Sequence, residues 1–165
     1  MQIPADAVVK PFENADLGNL LVGRFNENGP NFVAIRTELQ ESVGDATPYM
    51  AILSCWVDNQ LFPYLCNPSI ETTKVLDLGR DWTIDVSIND TTPNFIGIAD
   101  TVLIRFGNTF FIKLVGGHFL NLTSGRTIKG PTDWQNVAFW SAFTIHLPQP
   151  GFDGLGAEIF RLPQE

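Results

Sequence analysis

Short runs of alternating apolar and polar residues, bounded by turn-forming residues, most constrain what this chain can fold into. In residues 82–88, Trp82, Ile84 and Val86 lie on one face of an extended chain and Asp85 lies on the other. Further strand-like runs cover residues 20–25, 32–37, 50–57, 61–66, 102–106, 109–115, 118–122, 142–147 and 157–162. Because such runs between Gly, Pro, Asn and Asp turns are typical of β-strands, the sequence predicts an all-β fold of about twelve short strands.

Two segments, residues 37–43 and 132–141, have weak helical patterns. The second begins with Thr132, followed three residues later by Gln135, which is a capping-box pattern. Its β-branched and aromatic content favours instead a turn that runs into a strand.

Length and composition predict one β domain that spans residues 1–165. Hydrophobic residues make up 44% of the chain and charged residues 17%, which is apolar enough to build a full core. Many of the 13 phenylalanines fall in or beside the strand-like runs. They therefore predict a closed β core made of repeated hairpins.

The charge pattern disfavours nucleic acid and acidic membrane surfaces as partners. The formal net charge is −8, and the ten Lys and Arg residues are scattered singly. No apolar run approaches the roughly 18–20 residues that cross a bilayer, so no membrane span is expected. Residues 1–11 lack the basic start and apolar centre of a signal peptide, which predicts a cytoplasmic or non-classically secreted protein.

The two cysteines, Cys55 and Cys66, flank a turn-like segment. A hairpin centred on Asn59 and Gln60 would place Cys55 opposite Tyr64 and Cys66 diagonal to Cys55. Such a pair could form a disulfide only through a bulge. The absence of a signal peptide favours buried thiols, and both alternatives stay open.

The order of elements in residues 102–147 matches a known module. A strand and a turn precede the run Gly117-His118-Phe119-Leu120, a polar segment covers residues 124–130, and an aromatic–Thr–aliphatic strand begins at Phe143. This order resembles one module of β-trefoil lectins and fascin-like domains. The resemblance implies a β-trefoil, with the Gly117 run in a hairpin and the closing aromatic in the core.

The resemblance leaves the architecture and the sugar sites open. The number of strands and the chain length also suit a jelly roll or a β-sandwich. The Gln-x-Trp signature of ricin-type trefoils is missing, because Trp134 and Gln135 stand in the reverse order. The sugar sites of that family therefore cannot be transferred to this chain.

The sequence carries no signature of a catalytic or metal centre. Its two histidines, His118 and His146, lack the spacing of metal ligands, and no serine lies in a Gly-x-Ser-x-Gly elbow. Asp77, Asp81 and Asp85 are close enough in sequence to suggest paired glycosidase carboxylates. The alternation places Asp81 and Asp85 on the face opposite Trp82. If that face is exposed to solvent, charged side chains are expected there without any catalytic role. We expect a protein that is not an enzyme and uses no cofactor.

Tryptophans within polar turns are the better candidates for a ligand site. A flat aromatic ring can cover the apolar face of a pyranose while Asp, Asn and Gln bond its hydroxyl groups. The candidate ligand-binding residues are Asp133, Trp134, Gln135 and Asn136 in one segment, Trp56, Asp58 and Asn59 in a hairpin turn, and His118 and Asn121 near the Gly116-Gly117 turn.

These features predict a non-catalytic, lectin-like β-trefoil protein whose partner is a glycan or glycoprotein. A β-trefoil protease inhibitor that acts through residues 41–48 and 66–73 is an alternative. A jelly-roll assembly subunit is another, because the apolar surplus could cover interfaces of a homo-oligomer.

Overall fold

The computed structural model describes residues 7–24, 29, 31–40, 47–54, 56–57, 60–61, 64–67, 74–86, 103–130, 137–140, 142–148 and 156–162. Apart from one 3₁₀ turn, Phe12–Asn14, the regular elements in these ranges are strands. In chain order they are β1 (Val8–Pro11), β2 (Leu20–Arg24), β3 (Asn31–Glu38), β4 (Pro48–Ser54), β5 (Trp56–Val57), β6 (Gln60–Leu61), β7 (Tyr64–Cys66), β8 (Lys74–Asp77), β9 (Thr83–Val86), β10 (Leu103–Phe106), β11 (Thr109–Leu114), β12 (His118–Asn121), β13 (Thr127–Lys129), β14 (Val137–Trp140), β15 (Phe143–Leu147) and β16 (Ala157–Leu162). The prediction of an all-β chain is confirmed.

The described strands form antiparallel sheets. A six-stranded sheet has the order β1-β8-β2-β3-β4-β7, a five-stranded sheet has the order β13-β12-β11-β10-β14, and a three-stranded sheet has the order β16-β15-β9. Strands β5 and β6 form a small ribbon of their own. An isolated parallel bridge between Leu39 and Thr127 links the six-stranded sheet to the five-stranded one. Across the described strands the sheets are open, so the expected closed core is not a closed barrel.

Every strand-like run that the sequence identifies contains a strand. The sequence missed β1 and β8, which are four residues long and pair with each other. Neither run, Val-Val-Lys-Pro in β1 or Lys-Val-Leu-Asp in β8, alternates between apolar and polar residues, so the period-two signal is missing.

The helical pattern of residues 37–43 was misleading, because pairing with a neighbouring strand decides the conformation at its start. Thr37 begins a segment with a helical pattern, yet it lies in β3 and pairs with Tyr49 of β4. The later part of that segment lies outside the described residues. Strand β14 agrees with the turn-to-strand interpretation of residues 132–141.

The predicted hairpin register was also wrong. Tyr64 pairs with Ile52 of β4, three residues before Cys55, and Cys66 pairs with Met50. The turn is centred one residue earlier than predicted, because Val57 pairs with Gln60. The pairing of β4 with β7 is offset by one further residue from the pairing in that ribbon.

The main core lies between the six-stranded sheet and the other two large sheets. It contains Leu20, Val33, Ile35, Ala51 and Leu53 from the first, Leu78 directly after β8, Leu103, Ile112, Leu114, Leu120 and Trp140 from the second, and Phe143, Ile145, Leu147 and Phe160 from the third. Each large aliphatic or aromatic side chain contributes about 1.5–3 kcal/mol by its burial. Phe143, the closing aromatic of the trefoil-like module, is among them.

The outer faces of two sheets are apolar as well. Phe12 of the 3₁₀ turn is fully buried against the second face of the six-stranded sheet, beside Phe32 and Met50. Phe111 and Phe119 belong to a third cluster on the five-stranded sheet. The buried phenylalanines of the described residues are therefore divided among three clusters.

Candidate functional site

Most of the candidate residues chosen from sequence lie outside the described part of the chain. Asp133, Trp134, Gln135 and Asn136 do so, as do Asp58 and Asn59. The backbone of Trp56 pairs with Leu61 in the ribbon, so Trp56 lies in a hairpin as predicted, although in a different register. These positions stay predictions.

His118 and Asn121 lie at opposite ends of β12 and on opposite faces of it, because they are three residues apart in a strand. The Oδ1 atom of Asn121 accepts hydrogen bonds from the backbone N–H groups of Thr123 and Ser124, at 2.9 and 3.0 Å. Asn121 thus shapes the turn after β12. The structure does not bring the two residues together into one site.

Asp77 is held by structural partners. It is 5% exposed, and its carboxylate accepts hydrogen bonds from Asn19 Nδ2 at 2.9 and 3.0 Å and from the N–H of Gly79 at 2.9 Å. Lys10 Nζ lies 2.8 Å from Oδ2. Burial by itself would raise the pKa of Asp77, but the bonds from Lys10, Asn19 and Gly79 outweigh it and hold the pKa below its ordinary value.

The other two aspartates do not form a pair with Asp77. Asp85 is exposed on β9 and pairs with Thr144 of β15, and Asp81 is exposed just before β9. The alternation of exposed and half-buried residues along β9 agrees with the predicted faces. A paired-carboxylate site is therefore not formed by these three residues.

A cleft of about 340 Å³ opens at the edge of the main core, between β9 and the five-stranded sheet. Its lining residues are Arg80, Trp82, Ile84 and Val86 on one side and Leu103, Phe110, Leu122 and Thr123 on the other. Its volume is near the lower end of the range of about 300–1,000 Å³ for small-molecule sites. The walls are apolar, and polar side chains occur at Arg80 and Thr123.

Trp82 is held in place by a hydrogen bond. Its Nε1–H donates to the carbonyl oxygen of Gly18 at 3.1 Å, and the ring is half-buried against the main core. The polar edge of the indole is thereby satisfied, while its ring lines the cleft.

Arg80 crosses the rim of the cleft. Its Nη2 donates to the carbonyl oxygen of Thr123 at 2.7 Å. A Cβ placed on Gly18 would lie 3.1 Å from Arg80 Nε, so the guanidinium group packs closely over that glycine. Gly18 therefore supports both Arg80 and Trp82.

The two turns behind the rim contact each other through glycines. A Cβ placed on Gly125 would lie 3.0 Å from the Cα of Gly18. The N–H of Gly18 donates to the carbonyl of Arg36, and the N–H of Gly125 donates to that of Asn121, each at 2.8 Å. These bonds anchor the two turns to β3 and β12.

Phe110 forms the opposite wall between two neighbours. The Arg105 guanidinium carbon lies 5.9 Å from its ring centroid, and the Trp140 ring centroid lies 6.1 Å away. Trp140 Nε1 is buried and has no hydrogen-bond partner among the described residues.

Sequence reasoning did not identify this cleft, although it placed Trp82 on an apolar face. The available signal was a tryptophan at the start of a strand, directly after Gly79, Arg80 and Asp81. Its partners Gly18 and Thr123 are far away in sequence, so their approach could not be read from local spacing.

Comparison with protein-family models, with curated proteins and with solved structures finds no match to this chain. Among the described residues, no helix has the length and apolar character to cross a membrane. In the same residues, no group of three or more His, Cys, Asp or Glu side chains could hold a metal ion.

Proposed function

We propose that this protein is a non-catalytic carbohydrate-binding protein and that the cleft between β9 and the five-stranded sheet is its binding site. The observation that carries the proposal is the indole of Trp82, which lines the cleft and is oriented by its bond to Gly18. A sugar ring has an apolar C–H face and a polar edge of hydroxyl groups. A tryptophan can cover the first, and Arg80 and the Thr123 hydroxyl can bond the second.

The size and the chemistry of the cleft support binding of a small ligand. Its volume suits a short saccharide. Among its lining residues, Arg80 and Thr123 carry the polar side chains, and neither is a usual general acid or base near neutral pH. Binding without reaction is the function that agrees best with these groups.

Of the architectures predicted from sequence, we favour the β-sandwich. A trefoil would have three equivalent modules, whereas the described sheets have six, five and three strands around the main core. Strands β10 to β13 form a meander in the order of the trefoil-like module, and this local order alone supports a trefoil.

The test compares two tryptophans. Binding to a glycan array should be lost in Trp82→Ala and kept in Trp134→Ala if the cleft is the site. The opposite result would place the site in the segment chosen from sequence. No binding by the wild-type protein to any glycan would reject the proposed function.

The protease-inhibitor and assembly alternatives stay predictions. Residues 41–46 and 68–73, which make up most of the proposed inhibitory loops, lie outside the described part. Val8 and Val9 are 55% and 66% exposed on β1, an edge strand among the described strands, which is a feature that an assembly subunit would use. A mass measured by light scattering would test assembly directly.

A further inference from the structure

Arg80 holds a positive charge at the rim of the cleft. One hydrogen bond from its guanidinium group is described, the bond to the Thr123 carbonyl. A guanidinium group has five N–H donors in a planar fork, so further donors remain for a ligand. Because packing over Gly18 and the bond to Thr123 restrict the side chain, little conformational freedom is lost when a ligand binds.

No carboxylate of the described residues neutralises this charge. The ion pairs in that part of the chain involve Lys10, Arg36, Arg126 and Arg161. Asp81 follows Arg80 in sequence but precedes Trp82, on the face that points away from the core, and forms no described ion pair with it.

A second arginine lies beside the opposite wall. Arg105 is exposed, its guanidinium group lies over the Phe110 ring, and its Nε donates to the carbonyl of Gly107. It has no carboxylate partner among the described residues either. Arg105 does not itself line the cleft, but its charge lies over Phe110, which does, in a chain with a net charge of −8 and ten basic residues in all.

We infer that the cleft binds an acidic saccharide, whose carboxylate is bound by Arg80 while its ring lies against Trp82. This inference rests on the proposed function, because it names the ligand class for the same cleft. The planar guanidinium fork matches the geometry of a carboxylate and forms charge-assisted hydrogen bonds with it. Arg105 attracts the same carboxylate electrostatically without direct contact, and this attraction weakens as the salt concentration rises.

The experiment uses acids and their uncharged carboxamides. The panel consists of glycans that end in glucuronate, galacturonate or sialic acid, each beside its carboxamide, which keeps the size and shape of the acid. We expect the wild-type protein to bind at least one acid about tenfold more tightly than its amide, a factor that corresponds to about 1.4 kcal/mol. Raising the salt concentration should reduce this preference.

Arg80→Gln should lose most of the preference for the acid, so that only the salt-dependent attraction of Arg105 remains, while the control Arg24→Gln should keep the full preference. Arg24 is also an exposed arginine, but it bonds Asn31 at the end of β2. Thermal melting confirms that each variant is folded. A preference that survives undiminished in Arg80→Gln overturns the assignment of the carboxylate to that residue.

The two proposals fail in different ways. If the wild-type protein binds acids and amides equally, or binds only neutral glycans, the acidic-ligand inference is wrong and carbohydrate binding stands. If it binds no glycan, both are wrong.

Discussion

Gly18 and Gly125 lie backbone against backbone, so that a Cβ on Gly125 would be 3.0 Å from both the N and the Cα of Gly18. Both have positive φ angles, +85° and +73°. Glycine is required here twice, for the left-handed conformation and for the close approach. The contact brings together two turns that are distant in sequence, and Arg80, Trp82 and Thr123 meet around it.

Gly125→Ala should destabilise the fold more than Gly107→Ala. Gly107 also has a positive φ, +59°, but a Cβ there meets no atom within 4 Å. Its substitution by alanine costs only the strain of the left-handed conformation in a residue with a Cβ, about 1–2 kcal/mol in the free energy of unfolding. Because a Cβ on Gly125 would press on backbone atoms of Gly18, whose N–H is bonded to Arg36, Gly125→Ala should cost about 1–3 kcal/mol more. The measurement is the free energy of unfolding in urea, and equal losses would contradict the contact.

Asp77→Asn should destabilise the fold at pH 7 by about 1.5–3 kcal/mol, because hydrogen bonds to a charged group are lost. The pKa of Asp77 is lower in the folded state than its unfolded value of about 3.9. The ionised carboxylate therefore stabilises the fold above about pH 4, and this contribution disappears as the pH falls further. Urea unfolding at pH 7, 5 and 3 should show the wild-type advantage over Asp77→Asn narrowing at the lowest pH.

Glu158→Gln is the matched control for that experiment. The hydrogen bond from Arg161 also lowers the pKa of Glu158, but this pair is exposed. Solvent screening leaves exposed pairs with little effect on stability, so the free energy of unfolding should change far less than in Asp77→Asn. Equal changes in the free energy of unfolding would mean that burial does not strengthen the stabilising effect of Asp77.

Phe12→Ala should cost about 3–5 kcal/mol in the free energy of unfolding. Phe12 is fully buried over the outer face of the six-stranded sheet, and the Arg36 guanidinium carbon lies 5.6 Å from its ring centroid. Phe106→Ala removes the same group from a side chain that is 47% exposed and should cost less than about 1 kcal/mol. Similar losses of stability in the two variants would contradict the placement of Phe12 in a buried cluster and of Phe106 at the surface.

Thr37 and Thr127 should show strong coupling in a double-mutant cycle. Both are fully buried, and their hydroxyl oxygens lie 2.8 Å apart between β3 and β13. Thr127→Val leaves the Thr37 hydroxyl without this partner, at a cost of about 1–3 kcal/mol. Adding Thr37→Val should restore part of that loss, and additive effects would contradict the hydrogen bond.

The strand pattern was predictable because it depends on neighbours in sequence. Trp82, Ile84 and Val86 follow the period-two rule, and so do Phe143 and Ile145 of β15. The register of Tyr64 was not predictable, because the pairing of β4 with β7 is offset from the pairing of β5 with β6, and local spacing does not record that offset. Phe119 and Leu120 are neighbours in β12, so the period-two rule places them on opposite faces, but it does not say which face joins the main core.

The sequence by itself determined that this chain forms short antiparallel strands and that Trp82 belongs to an apolar face. Local alternation and turn residues carry that information. Only the tertiary structure decided that Gly18, Arg80 and Thr123 meet beside Trp82 and frame a cleft. Residues this far apart in sequence come together only when whole sheets pack, and no local period records which faces will meet.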